Sequence, residues 1–274
     1  MKKHISYSEW KDWKVCPYFH KLRHIDKLGV FEGNIYTAFG KALHEVIEKD
    51  LLSKDTGNVQ KMQENFKFFF KKELQSLPDG EKKQILSNFN VKEWLSQGND
   101  IVKEVFSALV DEFGPYGEKW EVLAAEEQLY EDIEGSKKKF KGFIDLIMYN
   151  HTDKKVYIID WKTCSWGWDS RKKSNSTLAY QLAFYKYFYG KKYDIDIKDM
   201  ETYFVLLKRT AKTGKKVEFV RVSNGERRIK NALNALQKAL YNIENENYIK
   251  NKLNCNGCAD RFGKCEFMNT EHCR

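Results

Sequence analysis

"VYIIDWKTCSW", residues 156–166, carries an apolar run straight into an acid and an amine. Val156, Tyr157, Ile158 and Ile159 are the β-branched and aromatic residues of a strand made to be buried. Side chains alternate along a strand, so Asp160 and Lys162 share one face and Trp161 takes the other. The preceding apolar stretch, "KGFIDLIMYN" (141–150), holds Asp145. If residues 138–150 and 154–162 pair as a hairpin, Asp145 lies across from Asp160. Two carboxylates in apolar surroundings repel each other unless a cation lies between them. Mg²⁺ suits such a place, because it takes one or two carboxylates and fills its shell with water or phosphate oxygens. A lysine beside it can orient the attacking water and offset charge developing on a phosphate. D-x-K by itself recurs by chance, and its structural reading is a hairpin edge with a solvated lysine. Its position at the end of a buried strand, one hairpin after Gly142-x-x-Asp145, is what selects it.

Outward from this hairpin the pattern is α/β. Residues 5–24, 36–53, 57–76, 80–88 and 90–113 have helical apolar spacing, and Pro115 and Gly117 end that region. The period then changes to two over 119–131, 138–150 and 154–162. A helix follows over 174–190, ending at Gly190. Strands at 201–209 and 216–222 and a long helix over 224–248 complete the series, and 251–274 is a short cysteine-rich tail. A mixed central sheet flanked by helices, with a helical N-terminal elaboration, is the expected fold. One domain is expected, made of a helical part (1–115), a sheet part (116–222) and a C-terminal helix with the cysteine tail (223–274).

Two helices carry further candidates. In "FGKALHEVIEKD" (39–50), Gly40, His44 and Glu48 fall at i, i+4 and i+8 on one face. His44 is either a third metal ligand or a satisfied core histidine. In "AYQLAFYKYFY" (179–189), Gln181 and Tyr185 share a face and can orient water or bond a phosphate backbone.

Taken in order, G-x-x-x-H-x-x-x-E, G-x-x-D, D-x-K and Q-x-x-x-Y resemble the RecB-like branch of the PD-(D/E)xK nucleases, from about Ser6 to Cys265. "SYSEWKDWKVCPYFHKLRHI" (6–25) is similar to that branch's N-terminal segment. The resemblance implies a restriction-endonuclease-like core. It implies Mg²⁺ or Mn²⁺ held by His44, Asp145 and Asp160 with the Trp161 backbone carbonyl, Lys162 as the catalytic lysine, and Gln181 and Tyr185 in the signature helix.

The chain has 6 cysteines. Cys255-x2-Cys258-x6-Cys265 is a compact trio, with Cys273 following after seven intervening residues, and such spacing reads as a metal or cluster site. Cys16 with Cys255, Cys258 and Cys265 resembles the ligand set of the iron–sulfur RecB-like nucleases of the AddB and CRISPR adaptation type, which implies a 4Fe–4S cluster. The alternative is a Zn²⁺ site of Cys255, Cys258, Cys265 and Cys273, which leaves Cys16 idle. Cys164 reads as a small packing residue.

The 274 residues are 42% hydrophobic, enough for a core, and the net charge of +9 suits a polyanion. No apolar stretch approaches the roughly 20 residues that span a bilayer, and residues 1–14 lack the apolar centre of a signal peptide. A cytoplasmic protein is expected. Lys137–Lys139, Arg171–Lys173 and Lys208–Lys216 are candidate phosphate contacts. Trp166 and Trp168 are candidates for stacking on an unpaired base. The expected function is a metal-dependent deoxyribonuclease, an exonuclease acting on ends or single strands in recombination, repair or phage DNA processing. No G-x-x-x-x-G-K-[ST] is present, so any helicase is a separate partner. The alternatives are a non-catalytic DNA-binding scaffold with the same fold and an RNA nuclease.

Overall fold

In the computed structural model, which describes residues 3–29, 32–256 and 264–273, short polar side chains set where the helices begin. Ser6 accepts from the Glu9 N–H and opens α1 (Tyr7–Val15) after a three-residue strand, β1 (His4–Ser6). Asn34 bonds reciprocally with Thr37 at the start of α3 (Ile35–Leu51). Asn58 caps α4 (Val59–Ser76), and Asn90 caps α6 (Val91–Phe113) after α5 (Asp79–Asn88). Each cap satisfies an N–H that the first helical turn leaves without a partner.

The helix expected over 5–24 is three pieces. Pro17 offers no N–H, Cys16 is extended (φ −160°), and α1 gives way to α2 (Pro17–His20) and a π-helical turn at Lys21–Ile25. The helix expected to end at Gly190 runs on. After α7 (Ser170–Lys173), α8 spans Ser176–Tyr193, and left-handed Asp194 (φ 55°) closes it by donating its N–H to the Gly190 carbonyl.

Among the described residues the sheet has six strands, with β2 (Trp120–Asp132), β3 (Lys139–Asn150), β4 (Lys155–Cys164), β5 (Met200–Lys208) and β6 (Val217–Arg221) added to β1. Antiparallel β2, β3 and β4 form a meander, β5 lies parallel to β4, and β6 returns antiparallel. The parallel step needs a crossover, which α7 and α8 supply. One edge of β3 pairs β2 along its whole length. The other edge pairs β1 at 139–141 and β4 at 146–150, which leaves 142–145 between the two partners.

Each face of the sheet has its own core. Leu146, Met148, Ile159, Trp161, Val205 and Leu207 pack against α3, α4 and α6. Ile147, Ile158, Phe204 and Leu206 pack against α1, α8 and α9 (Glu226–Glu244). The mixed sheet flanked by helices matches the expected fold class. Among the described residues no helix is long and apolar enough to cross a membrane.

Candidate active site

The β3–β4 register decides the site. Leu146 pairs with Ile159, so the next rung would set Asp145 opposite Asp160, but the ladder ends first. The strands part at the two acids, and the Asp145 carboxylate fills the break by accepting the Trp161 N–H at 2.7 Å. Asp160 is anchored on both sides. Lys162 Nζ ion-pairs with its Oδ2 at 2.6 Å, and Gln181 Nε2 donates to Oδ1 at 2.7 Å and to the Tyr185 hydroxyl at 3.1 Å. Gly142 lets Tyr185 lie this close, since a Cβ there would sit 2.9 Å from the Tyr185 ring.

From the opposite face, α3 brings His44 and Glu48. His44 Nδ1 is 3.7 Å from Asp145 Oδ2. One ligand atom from each of His44, Glu48 and Asp145 can be chosen so that all three lie within 4.8 Å of one another. Asp160 stands beside this trio, held by Lys162 and Gln181. Glu48 is 8% exposed, and its Oε1 is buried without a hydrogen-bond partner.

Burial dominates the electrostatics. It pushes the Asp145 and Asp160 carboxyls up to about 6, against the pull of Lys162 on both. Burial also pushes Glu48 up to about 9, with Glu126 and Asp145 adding to it. His44 is lowered to about 4 by burial, so its imidazole is neutral at pH 7 and able to ligate. Crowded carboxylates that burial holds towards the protonated form are what a cation would relieve. The carboxylate oxygens suit Mg²⁺ or Mn²⁺, the His44 nitrogen favours the softer Mn²⁺ of the two, and the Glu48 oxygen has no hydrogen-bond partner, so the residues present fit such an ion.

The structure therefore brings together His44, Asp145, Asp160, Trp161, Lys162, Gln181 and Tyr185, all expected from sequence. It adds Glu48, which stood in the helix motif without an assigned role, and Glu126. Glu126 lies opposite Asp145 between the rungs Ala125–Leu146 and Glu127–Ile144, with a left-handed φ of 52°. No sequence spacing marks it.

Other candidates are placed differently. Trp168 packs in the second core, edge-on to Phe204, with Lys172 over its ring, whereas Trp166 is 80% exposed. The basic clusters are partly spent on internal partners. Lys139 pairs with Asp132, Lys173 and Lys208 pair with Glu218, and Lys138 and Lys216 are buried. Cys164 packs against the second core as expected. Cys16, Cys255, Cys265 and Cys273 line one cavity with Val15, Phe19, Leu22 and Phe267, while Cys258 lies outside the described residues.

A split β-meander with acids at the break and a lysine two residues on defines a nuclease-type core. Over residues 4–262 the chain matches the model of the PD-(D/E)XK nuclease superfamily, and it belongs to that family. Its fold is similar to a crystal structure of a "putative exonuclease" from Eubacterium rectale, at 11% identity and TM-score 0.58, covering 97% of this chain and 86% of that one. The structure of SSO0001 aligns over 85% of this chain and 100% of its own at 14% identity, with a TM-score of 0.34. No curated protein matches the chain.

Proposed function

We propose that this chain is a metal-dependent deoxyribonuclease that hydrolyses phosphodiester bonds as an exonuclease, working from ends or on single strands. The observation that carries this is the parting of β3 and β4 at Asp145 and Asp160, with Lys162 paired to one acid and Glu48 beside the other. His44, Glu48 and Asp145 would hold the ion, with Asp160 and the Trp161 carbonyl at its side. The ion, when bound, supplies charge for the phosphate oxygens and lowers the pKa of a bound water. Lys162 sits where it can orient that water and stabilise charge on the phosphate in flight. Gln181 fixes Asp160 from α8 and leaves the Tyr185 hydroxyl beside it as a donor to substrate oxygen. The regions 1–115, 116–222 and 223–274 work as one nuclease domain in this reading. End-labelled linear and circular DNA, single- and double-stranded, test it. With Mg²⁺ or Mn²⁺, linear strands are expected to shorten from their ends while circles persist, and chelator is expected to stop the reaction. Absence of hydrolysis on every substrate with both metals would refute the proposal.

The thiol cavity supports a second assignment, an iron–sulfur cluster held by Cys16, Cys255, Cys258 and Cys265. Cys16 reaches the same apolar hollow as the tail cysteines, which a local zinc site does not require, and its sulfur accepts the Asn251 N–H at 3.3 Å. Thiolate ligands with backbone N–H donors suit such a cluster. Anaerobically purified protein is expected to be brown and to carry iron and sulfide. A colourless, zinc-loaded preparation would assign the site to zinc.

A further inference from the structure

Four turns of α3 present one row of residues: Tyr36, Gly40, His44 and Glu48, spaced i, i+4, i+8 and i+12. His44 and Glu48 belong to the candidate metal site. Tyr36 is about 12 Å further along the helix axis from His44, at 1.5 Å per residue. There it lines a separate hollow of about 90 Å³ with Phe39, Trp94, Thr163, Cys164, Ser165 and Arg209. Thr163 and Cys164 follow Lys162 directly on β4 and Ser165 comes just after its end, so the hollow adjoins the strand of the candidate site.

The lining is flat, aromatic and cationic. Arg209 places its guanidinium carbon 3.9 Å from the centre of the Trp94 ring and donates from Nη1 to Gln97 at 2.6 Å. That contact turns a flexible side chain into a fixed planar surface. Among the described residues no carboxylate pairs with Arg209, in contrast to neighbouring Lys208, which pairs with Glu218. Tyr36 stands edge-on to Trp94 at 5.2 Å and to Phe89 at 6.1 Å, with half of its surface exposed. The loop below is tied down, because Arg209 N–H bonds the Cys164 carbonyl and Thr210 N–H bonds the Ser165 carbonyl, each at 2.8 Å.

We propose that this hollow is a nucleobase subsite: it takes an unpaired base one or two nucleotides from the scissile phosphate, against Tyr36 and the guanidinium plane that Arg209 holds over Trp94. The assignment rests on the nuclease reading above and deepens it, since a base can enter only where the strand is single. Stacking on a ring or a guanidinium plane is tolerant of base identity, so the subsite selects strandedness and register rather than sequence. The same chemistry accepts DNA or RNA.

The test uses wild-type protein and single-stranded oligonucleotides that each lack one base. At one position within two nucleotides of the cleaved bond, loss of the base is expected to lower kcat/KM about tenfold, the size of one stacking contact. Tyr36→Ala and Arg209→Lys are expected to lose a similar factor on intact oligonucleotides and nothing more on that abasic one. Hydrolysis of bis(p-nitrophenyl) phosphate, which has no base, is expected to be unchanged in both variants, which also reports that they are folded. A parallel RNA series separates the two sugars. Equal rates at every abasic position would overturn the subsite while leaving the nuclease reading intact. If nothing is hydrolysed, the nuclease reading fails. Anisotropy of the same labelled oligonucleotides in chelator then decides the subsite alone, through the presence or absence of a tenfold abasic penalty on binding.

Discussion

Lys162→Ala is expected to lower turnover on DNA about a thousandfold or more, with circular dichroism unchanged and the melting temperature within a few degrees of the parent. A thousandfold is about 4 kcal/mol of barrier, the size of one preorganised charge aimed at a transition state. The structure argues for two contributions. Lys162 is the only cation ion-paired to Asp160 among the described residues, and its charge pulls the carboxyls of Asp145 and Asp160 down against burial. Without it both acids hold their protons more tightly, so the residues that should grip the ion become poorer ligands at neutral pH. In the proposed reaction the ammonium that would face the phosphate is lost as well. Its side chain is partly exposed, so little packing is lost. Rates measured against metal concentration separate the two contributions. Excess Mg²⁺ should recover the ligand effect and leave the rest. A variant that keeps a tenth of parental activity at saturating metal would remove Lys162 from the chemistry.

The second large effect is on stability, and its sign follows from the buried acids. Asp145 and Asp160 are each raised from 3.8 to about 6, and Glu48 from 4.5 to about 9. A folded state that binds protons more tightly than the unfolded one is favoured at low pH. The stability from the aspartates is therefore full below 3.8 and is lost as pH rises through about 6, and that from Glu48 continues to fall towards about 9. The linkage is on the order of 2–3 kcal/mol at an aspartate, felt once for the coupled pair rather than twice. A bound cation removes the repulsion, so Mg²⁺ should raise the melting temperature by several degrees at pH 8 and by little at pH 5. Thermal melts with Mg²⁺ and with chelator, for wild type and Glu48→Gln, measure this. The same Mg²⁺ increment at both pH values would mean that the acids do not share an ion.

The acids and the lysine were legible because strand alternation and hairpin distance act within a few residues. Asp145 and Asp160 stand on consecutive strands of one meander, so sequence separation nearly determines their spatial relation. Glu48 was visible as spacing but not as a ligand, because its role depends on burial supplied by another element. Glu126 was invisible, since it reaches the site through a local left-handed twist in β2 that no residue type announces. β1 leaves no mark in the sequence, because a three-residue strand is too short to show a period. Trp166 and Trp168 look alike in sequence and differ in fate, because only the second meets Phe204. The basic runs were legible as charge, but their acidic partners Asp132 and Glu218 lie on other strands or further along the chain.

The thiol cavity also joins distant parts of the chain. Asn254 donates to the Val15 carbonyl across 239 positions and Asn251 to the same carbonyl across 236, and Tyr18 reaches the His272 carbonyl. A cluster spanning Cys16 and the tail would turn this clasp into a covalent ring. By loop entropy alone, closing a circuit that long is worth on the order of 5 kcal/mol. The helix leading into the clasp, α1, leans its Trp10 on Phe184 of α8, three residues from the amide that steadies Asp160. If the proposed cluster is present, its oxidative loss would thus slacken a lever that ends at Asp160, and the state of the cluster would be felt at the candidate active site.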